Sequence, residues 1–336
     1  MRIIIATDAW LPQINGVSRT LQKTVDMVRE RGHTVEVIHP GLFTNYKCPF
    51  SPDVRLAWGV SRIIPQTLQK PFALHIPVEG PIGIAFRNYC VENKIPFTTS
   101  YHTNFPEYLW NYAWIPLGLT RIFVKWFHKP SAATMVSTNT LRTKLNKIGI
   151  KNTKIWGRGT DPDIFKVRDI PEENIALYVG RISQEKNIEK FLSLPDIKHN
   201  GFVLKKYVTG NGEDSYLSYL KRKYPNAVFT GPLHGQELGE MYSRSKLFVF
   251  PSKTDTFGLV IIEALASGKP VAAYPVEGPI DIIGNTVGAG CCHDDLEVAV
   301  NVALNTHSKE KCLLLASNYT WEKCTSQFIN NLVECK

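Results

Sequence analysis

The feature that most constrains this chain is an alternation running almost its whole length. Short apolar, β-branched runs are followed by helical stretches or loops. In the first half the runs are RIIIAT at 2–7, HTVEVIHP at 33–40, PFALHIP at 71–77 and PFTTSYHT at 96–103. Between the first two, Leu21, Val25 and Val28 fall on one helical face. This is the pattern of βα units feeding a parallel sheet. It restarts at IALYVGRIS, 175–183, and continues through FVLKKYVTG, AVFTG, KLFVFPS and PVAAYPV. Proline and charge interrupt it at 166–174. The predicted fold class is therefore α/β, with two Rossmann-like doubly wound lobes facing across a cleft. The expected division is a first domain at 1–168, a second at 169–315, and a last helix at 316–336. That helix should be capped near Asn318 or Thr320.

A length of 336 residues with 43% hydrophobic content suits two cores. No apolar run reaches the roughly 18 residues of a membrane span. The opening MRIIIATDAWLPQ reads as a buried first strand without a cleavage site, so a cytoplasmic protein is expected. The seven cysteines form no CxxC pair, which suggests reduced thiols, mostly in cores, and no metal. The net charge of +9 fits nucleotide phosphates, nucleic acid or an acidic membrane surface. No basic and aromatic module of a nucleic-acid binder is present, so no nucleic-acid partner is expected.

In open parallel sheets, ligands bind at the carboxyl ends of strands, so the residues just after strands carry the chemistry. The most informative stretch is PSKTDTFGLVIIEALASGKPVAAYPVEGPIDIIG, 251–284. A strand ends at a loop holding Asp255, and Phe257, Gly258, Leu259 and Val260 open a helix containing Glu263. Unpaired amides and the positive end of a helix suit a pyrophosphate, and Glu263 suits ribose hydroxyls. Taken singly, each acid also reads as an ordinary loop or helix-dipole residue. In YVGRISQEKN, 178–187, Arg181 and Lys186 follow a strand and match a diphosphate leaving group. The plainer alternative is that they pair with Glu185 or Glu189. In TDAWLPQINGVSRTL, 7–21, Gly16 would let backbone approach a phosphate, but neither a dinucleotide fingerprint nor a P-loop is present. The short G-x-G of TGNGED, 209–214, says little alone. Glu79 and His102 follow probable strands, where His102 can bind sugar hydroxyls or phosphate, or move protons. No nucleophile elbow, HExxH or Cys–His signature occurs.

Together these segments resemble family-4 glycosyltransferases of the GT-B fold. TDAWLPQINGVSRTL, EGPIG, TTSYHTNFPEY, GRGTDPDIF, YVGRISQEKN, GNGED and DTFGLVIIEALASGKPVAAYPVEGP occur in the family's order over nearly the whole chain. The chain is most similar to the GDP-mannose-dependent α-mannosyltransferase branch, with sulfoquinovosyl and other glycolipid transferases nearby. The resemblance implies a nucleotide-diphosphate sugar donor, GDP-mannose favoured, and a glycan or glycolipid acceptor, with 1–168 the acceptor-side domain, 169–315 the donor domain, and the helix at 316–336 crossing back to the N-terminal domain. It implies retention of the anomeric configuration and no metal or other cofactor. Arg181 and Lys186 would neutralise the diphosphate, which Gly16 approaches, and Asp255 would contact the donor sugar in the place of the family's usual Glu. The backbone after Phe257 would meet pyrophosphate or sugar, and Glu263 the ribose. His102 would sit over the donor sugar, and Asp8, with Glu79, on the acceptor side. A phosphorylase, an epimerase, a catalytically silent nucleotide-sugar-binding protein and a UDP-sugar glycolipid transferase are the alternatives. Finally, 107–130 sets Trp110, Trp114 and Trp126 beside Arg121, Lys125, His128 and Lys129. That mixture suits peripheral contact with an anionic membrane, or a tryptophan core.

Overall fold

A computed structural model describes residues 1–13, 16–48, 51–102 and 116–336, with the side chains of residues 48, 51–54 and 117 outside the description. Contacts divide the chain into two units, 1–158 with 321–336, and 159–320.

Unit 1 is built on strands β1 (Arg2–Ala6), β2 (Thr34–Ile38), β5 (Phe72–Ile76), β6 (Thr98–Tyr101), β7 (Ala133–Val136) and β8 (Thr153–Ile155), with the hairpin β3 (Asn45–Cys48) and β4 (Ser51–Ala57) set apart. The main sheet runs β2-β1-β5-β6-β7-β8, all parallel. Ile3, Ile4 and Ile5 are consecutive and all wholly buried. An unbroken apolar run buried on both faces is the mark of a strand inside a covered parallel sheet. Helices α1 (Gly16–Glu30), α2 (Pro81–Glu92), α3 (Leu117–His128) and α4 (Asn139–Lys147) belong to this unit. Leu21, Val25 and Val28 of α1 are buried against Ile3 and Ile5, as their spacing predicts.

Unit 2 contains β9 (Ile175–Val179), β10 (Ile197–His199), β11 (Phe202–Thr209), β12 (Val228–Gly231), β13 (Leu247–Phe250), β14 (Val271–Ala273) and β15 (Gly290–Cys292). Their order is β10-β11-β9-β13-β14-β15, with β12 parallel to β11 and β10 antiparallel to it. Its helices are α5 (Ile188–Leu192), α6 (Asp214–Lys223), α7 (Gly235–Arg244), α8 (Leu259–Ala266), α9 (Glu277–Ile283), α10 (Leu296–Asn305) and α11 (Lys309–Ala316). Two apolar clusters, one around Leu177 and Phe248 and one around Val208 and Val249, give this unit its own core.

The chain then re-enters unit 1 through α12 (Trp321–Asn331) and β16 (Glu334–Cys335), which pairs antiparallel with β5. Phe328 and Cys324 of α12 are buried with Ile3 and Trp156. The expected domain edges at 168/169 and 315/316 are displaced. Residues 159–168 pack with unit 2, where Phe165 meets the Tyr242 ring edge-on at 5.7 Å and the Ser243 hydroxyl donates to the Lys166 carbonyl. Thr160 bridges Thr320, so both chain crossings lie side by side at the edge of unit 2.

Candidate functional site

In unit 2 the loops after β9 and β13 are tied together. β9 is buried throughout and ends at Gly180, after which Arg181 emerges with its side chain about half exposed. A one-turn helix at Gln184–Lys186 then aims Lys186 at the loop after β13, where its Nζ lies 2.6 Å from Asp255 Oδ1. Asn187 Nδ2 donates to the Pro251 carbonyl at 3.1 Å. The Tyr178 hydroxyl donates to the Arg181 carbonyl, and burial raises that phenol well above 10. Asp255 Oδ2 is buried without a hydrogen-bond partner among the described residues. Such an atom costs free energy until a donor reaches it. Arg181 Nη2 donates to Glu185 at 2.7 Å, so the plainer pairing anticipated for this cation does occur. Lys186, in contrast, pairs with Asp255 rather than with Glu185 or Glu189.

Gly258 heads α8 at φ 85°, a conformation that disfavours other residues, and the first-turn amides of Leu259 and Val260 follow it. Phe257 is buried and packs edge-on to Tyr319. Glu263 lies one turn further along α8, and the Tyr242 hydroxyl of α7 donates to its Oε2 at 3.0 Å. Unit 2 thus collects Arg181, Lys186 and Asp255 at neighbouring carboxyl ends of β9 and β13, with Phe257, Gly258, Leu259, Val260 and Glu263 on the segment that follows. The G-x-G of TGNGED has a packing role: a Cβ on Gly210 would lie 1.9 Å from the Gly180 carbonyl oxygen. Only glycine lets the loops after β9 and β11 approach so closely.

In unit 1 the carboxyl ends of β1, β5, β6 and β8 lead to Asp8, Glu79, His102 and Arg158. Asp8 is 4% exposed, and its two oxygens accept the backbone amides of Ile82 and Gly83 at 3.0 and 3.2 Å. It therefore anchors the start of α2, leaving neither oxygen clear of those amides. A Cβ on Gly80 would sit 2.3 Å from Asp8 Cγ, which explains the first glycine in EGPIG. Glu79 Oε1 accepts from His128 Nε2 at 2.9 Å. His128 is fully buried and also bonds Thr99, so it leaves the set of surface residues in which the sequence places it.

His102 is engaged at both ring nitrogens. Arg158 Nη2 donates to Nδ1 at 2.8 Å, and Nε2 faces Ser100 Oγ at 2.8 Å. Because an arginine can only donate, the ring proton resides on Nε2. Burial, then the Arg158 cation and the nearby His75 and His128, lower His102 well below 6.5 and hold it neutral. The imidazole expected to bind sugar hydroxyls or phosphate thus has both nitrogens committed within unit 1. Gly16 is the first residue of α1; the two residues before it, 14 and 15, lie outside the described residues. Trp110 and Trp114 also lie outside them.

Two residues escaped the sequence reading. Tyr242 holds Glu263 from another helix, and nothing local to either marks the pairing. Arg158 is buried, donates to the Trp156 and Gly157 carbonyls as well as to His102, and burial lowers it to about 10. Its place after β8, in the GRGTDPDIF segment, was the available signal.

Two α/β units with polar groups at the carboxyl ends of their parallel strands define a nucleotide-binding type of enzyme fold. Comparison with known proteins makes this specific: the chain belongs to the glycosyltransferases, with residues 14–164 matching the model for Glycosyltransferase Family 4 and residues 160–306 that for Glycosyl transferases group 1. It is 28% identical to a GDP-mannose-dependent alpha-mannosyltransferase of Mycobacterium tuberculosis, over 84% of this chain and 81% of that one. It is 27% identical to the sulfoquinovosyl transferase SQD2 of Arabidopsis thaliana over 80% of this chain, and spans 58% of that longer protein. The fold is that of GT-B enzymes: the structure of HepE from Anabaena in complex with UDP matches with a TM-score of 0.71 over 98% of this chain and 99% of that one, at 14% identity.

Proposed function

We propose that this glycosyltransferase moves a hexose, with mannose favoured, from GDP-mannose to a hydroxyl of a glycan or lipid, with retention and without a divalent metal. One observation carries the reading. Arg181 and Lys186 stand at the end of β9, with Lys186 bonded to an Asp255 whose second oxygen is buried and unfilled. A donor diphosphate would take Arg181 from Glu185 and share Lys186 with Asp255. A sugar hydroxyl would supply the donor that Asp255 Oδ2 lacks. The amides heading α8 suit the pyrophosphate, and Glu263, held by Tyr242, suits the ribose. The relative whose name specifies GDP-mannose supports that choice of nucleotide and sugar.

The chemistry follows from charge. As the bond between the anomeric carbon and the diphosphate oxygen breaks, negative charge grows on the leaving group and positive charge on the sugar ring. Arg181 and Lys186 stabilise the first most strongly in the transition state. The acceptor oxygen bonds to the anomeric carbon from the same face, and its proton passes to the departing phosphate oxygen. Because the cations serve the diphosphate, transfer should persist in EDTA, and the product should keep the donor's α configuration by NMR. Loss of activity in EDTA with rescue by manganese or magnesium would overturn the metal-free mechanism, and an inverted product would overturn retention. A melting panel with GDP, UDP and ADP tests the nucleotide, since binding to the native state raises the melting temperature. The largest rise is expected with GDP; the largest with UDP would favour a UDP-sugar donor. Binding without transfer to any acceptor would favour a silent nucleotide-sugar-binding protein.

A further inference from the structure

Helix α3 is apolar on two sides. Val124, Phe127 and His128 are fully buried in unit 1, which is what packing the helix requires. On the other side Leu119, Ile122 and Trp126 are 61, 66 and 41% exposed, spaced by three and four residues. This second stripe contributes little to holding unit 1 together. Arg121, Lys125 and Lys129 are exposed beside it, and the segment LGLTRIFVKWFHKP, 117–130, contains no acid. A groove along this face is lined by Arg87, Ile122, Lys125, Trp126, Lys129 and Pro130. At its floor the buried Arg87 guanidinium lies 3.9 Å from the centre of the Trp126 ring and donates to the Trp126 carbonyl and to Asn88 Oδ1, so it holds Trp126 in place. Among the described residues none of the exposed Arg121, Lys125 and Lys129 forms an ion pair.

We infer that this face of α3 docks on the surface of an anionic bilayer, with Leu119, Ile122 and Trp126 entering the headgroup–acyl boundary and Arg121, Lys125 and Lys129 meeting lipid phosphates. The match is one of charge and geometry. Three exposed cations without an acid among them complement a continuous negative surface, and an exposed apolar stripe at helical spacing is what an interfacial helix inserts. The chain's net charge of +9 acts in the same direction at longer range. The inference uses no residue of the proposed donor site and stands or falls separately from it.

The test is flotation of the whole protein with vesicles of phosphatidylcholine alone and with about one third phosphatidylglycerol. Binding is expected to the anionic vesicles only and to weaken in high salt. Each lost cation near the surface should weaken it about fivefold, so Lys125→Gln with Lys129→Gln should cost about 25-fold. Ile122→Asp, at an exposed site with no part in the unit 1 core, should abolish flotation while leaving circular dichroism and melting unchanged. Flotation of both variants at the parent's level, equal binding to neutral vesicles, or no binding to anionic vesicles at low salt would each overturn the inference.

Discussion

At the scale of the single residue, Asp8 has the most measurable consequence. Burial raises its carboxyl from 3.8 to about 7, against the lowering effect of the Ile82 and Gly83 amides. Unfolded, it titrates near 3.8, so between about pH 4 and pH 7 the folded chain holds a proton that the unfolded chain has lost. Stability from this group is full below the unfolded value and is lost as pH rises through the folded one. Urea unfolding from pH 4.5 to 7.5 should show that loss in the parent and a flatter profile in Asp8→Asn. The variant should also be less stable at low pH by about 1–3 kcal/mol, because its amide group faces a backbone donor. Equal slopes would contradict the assignment. This role could not be read from the sequence. The acid's place after a strand was legible, but its partners, the amides of Ile82 and Gly83, lie more than 70 residues away. Tyr242 and Arg158 were missed for the same reason: each acts through long-range bonding with no periodic signature.

At the scale of the element, the carboxyl-end loops are shaped by close backbone approach. The alternating apolar runs made the strands legible, and helical spacing made α1 legible, because burial imposes a period that composition reveals. The glycines of EGPIG and GNGED were legible as motifs but not as contacts. Gly80→Ala would drive a Cβ into Asp8, and Gly210→Ala would drive one into the Gly180 carbonyl. Overpacking of this kind typically costs about 1–3 kcal/mol. Both substitutions should therefore lower the urea midpoint, and Asp8→Ala should recover part of the loss at Gly80 but none at Gly210. Additive losses at Asp8 and Gly80 would show that the two do not touch.

At the scale of the whole molecule, the chain's last segment completes its first unit. Phe328 is fully buried in the core of unit 1. Phe328→Ala should cost about 3–5 kcal/mol of unfolding free energy, seen as an earlier transition in urea. A change within error would mean that α12 is dispensable to that core. The double-sheet architecture was legible because the βα pattern visibly restarts at 175. Polar, turn-rich sequence at 159–168 reads as a linker, whereas by contacts it belongs to unit 2, where Phe165 and Lys166 pack on α7. The proposed donor chemistry rests on Arg181 and Lys186 at the end of β9. The most direct test is the transfer rate of Arg181→Ala at saturating GDP-mannose, once the variant is shown folded by circular dichroism. Loss of a preorganised donor to a developing charge predicts a kcat lower by about a hundredfold or more, whereas Glu263→Gln should mainly raise the donor KM. A folded Arg181→Ala that transfers at the parent's rate would contradict the assignment of the diphosphate site.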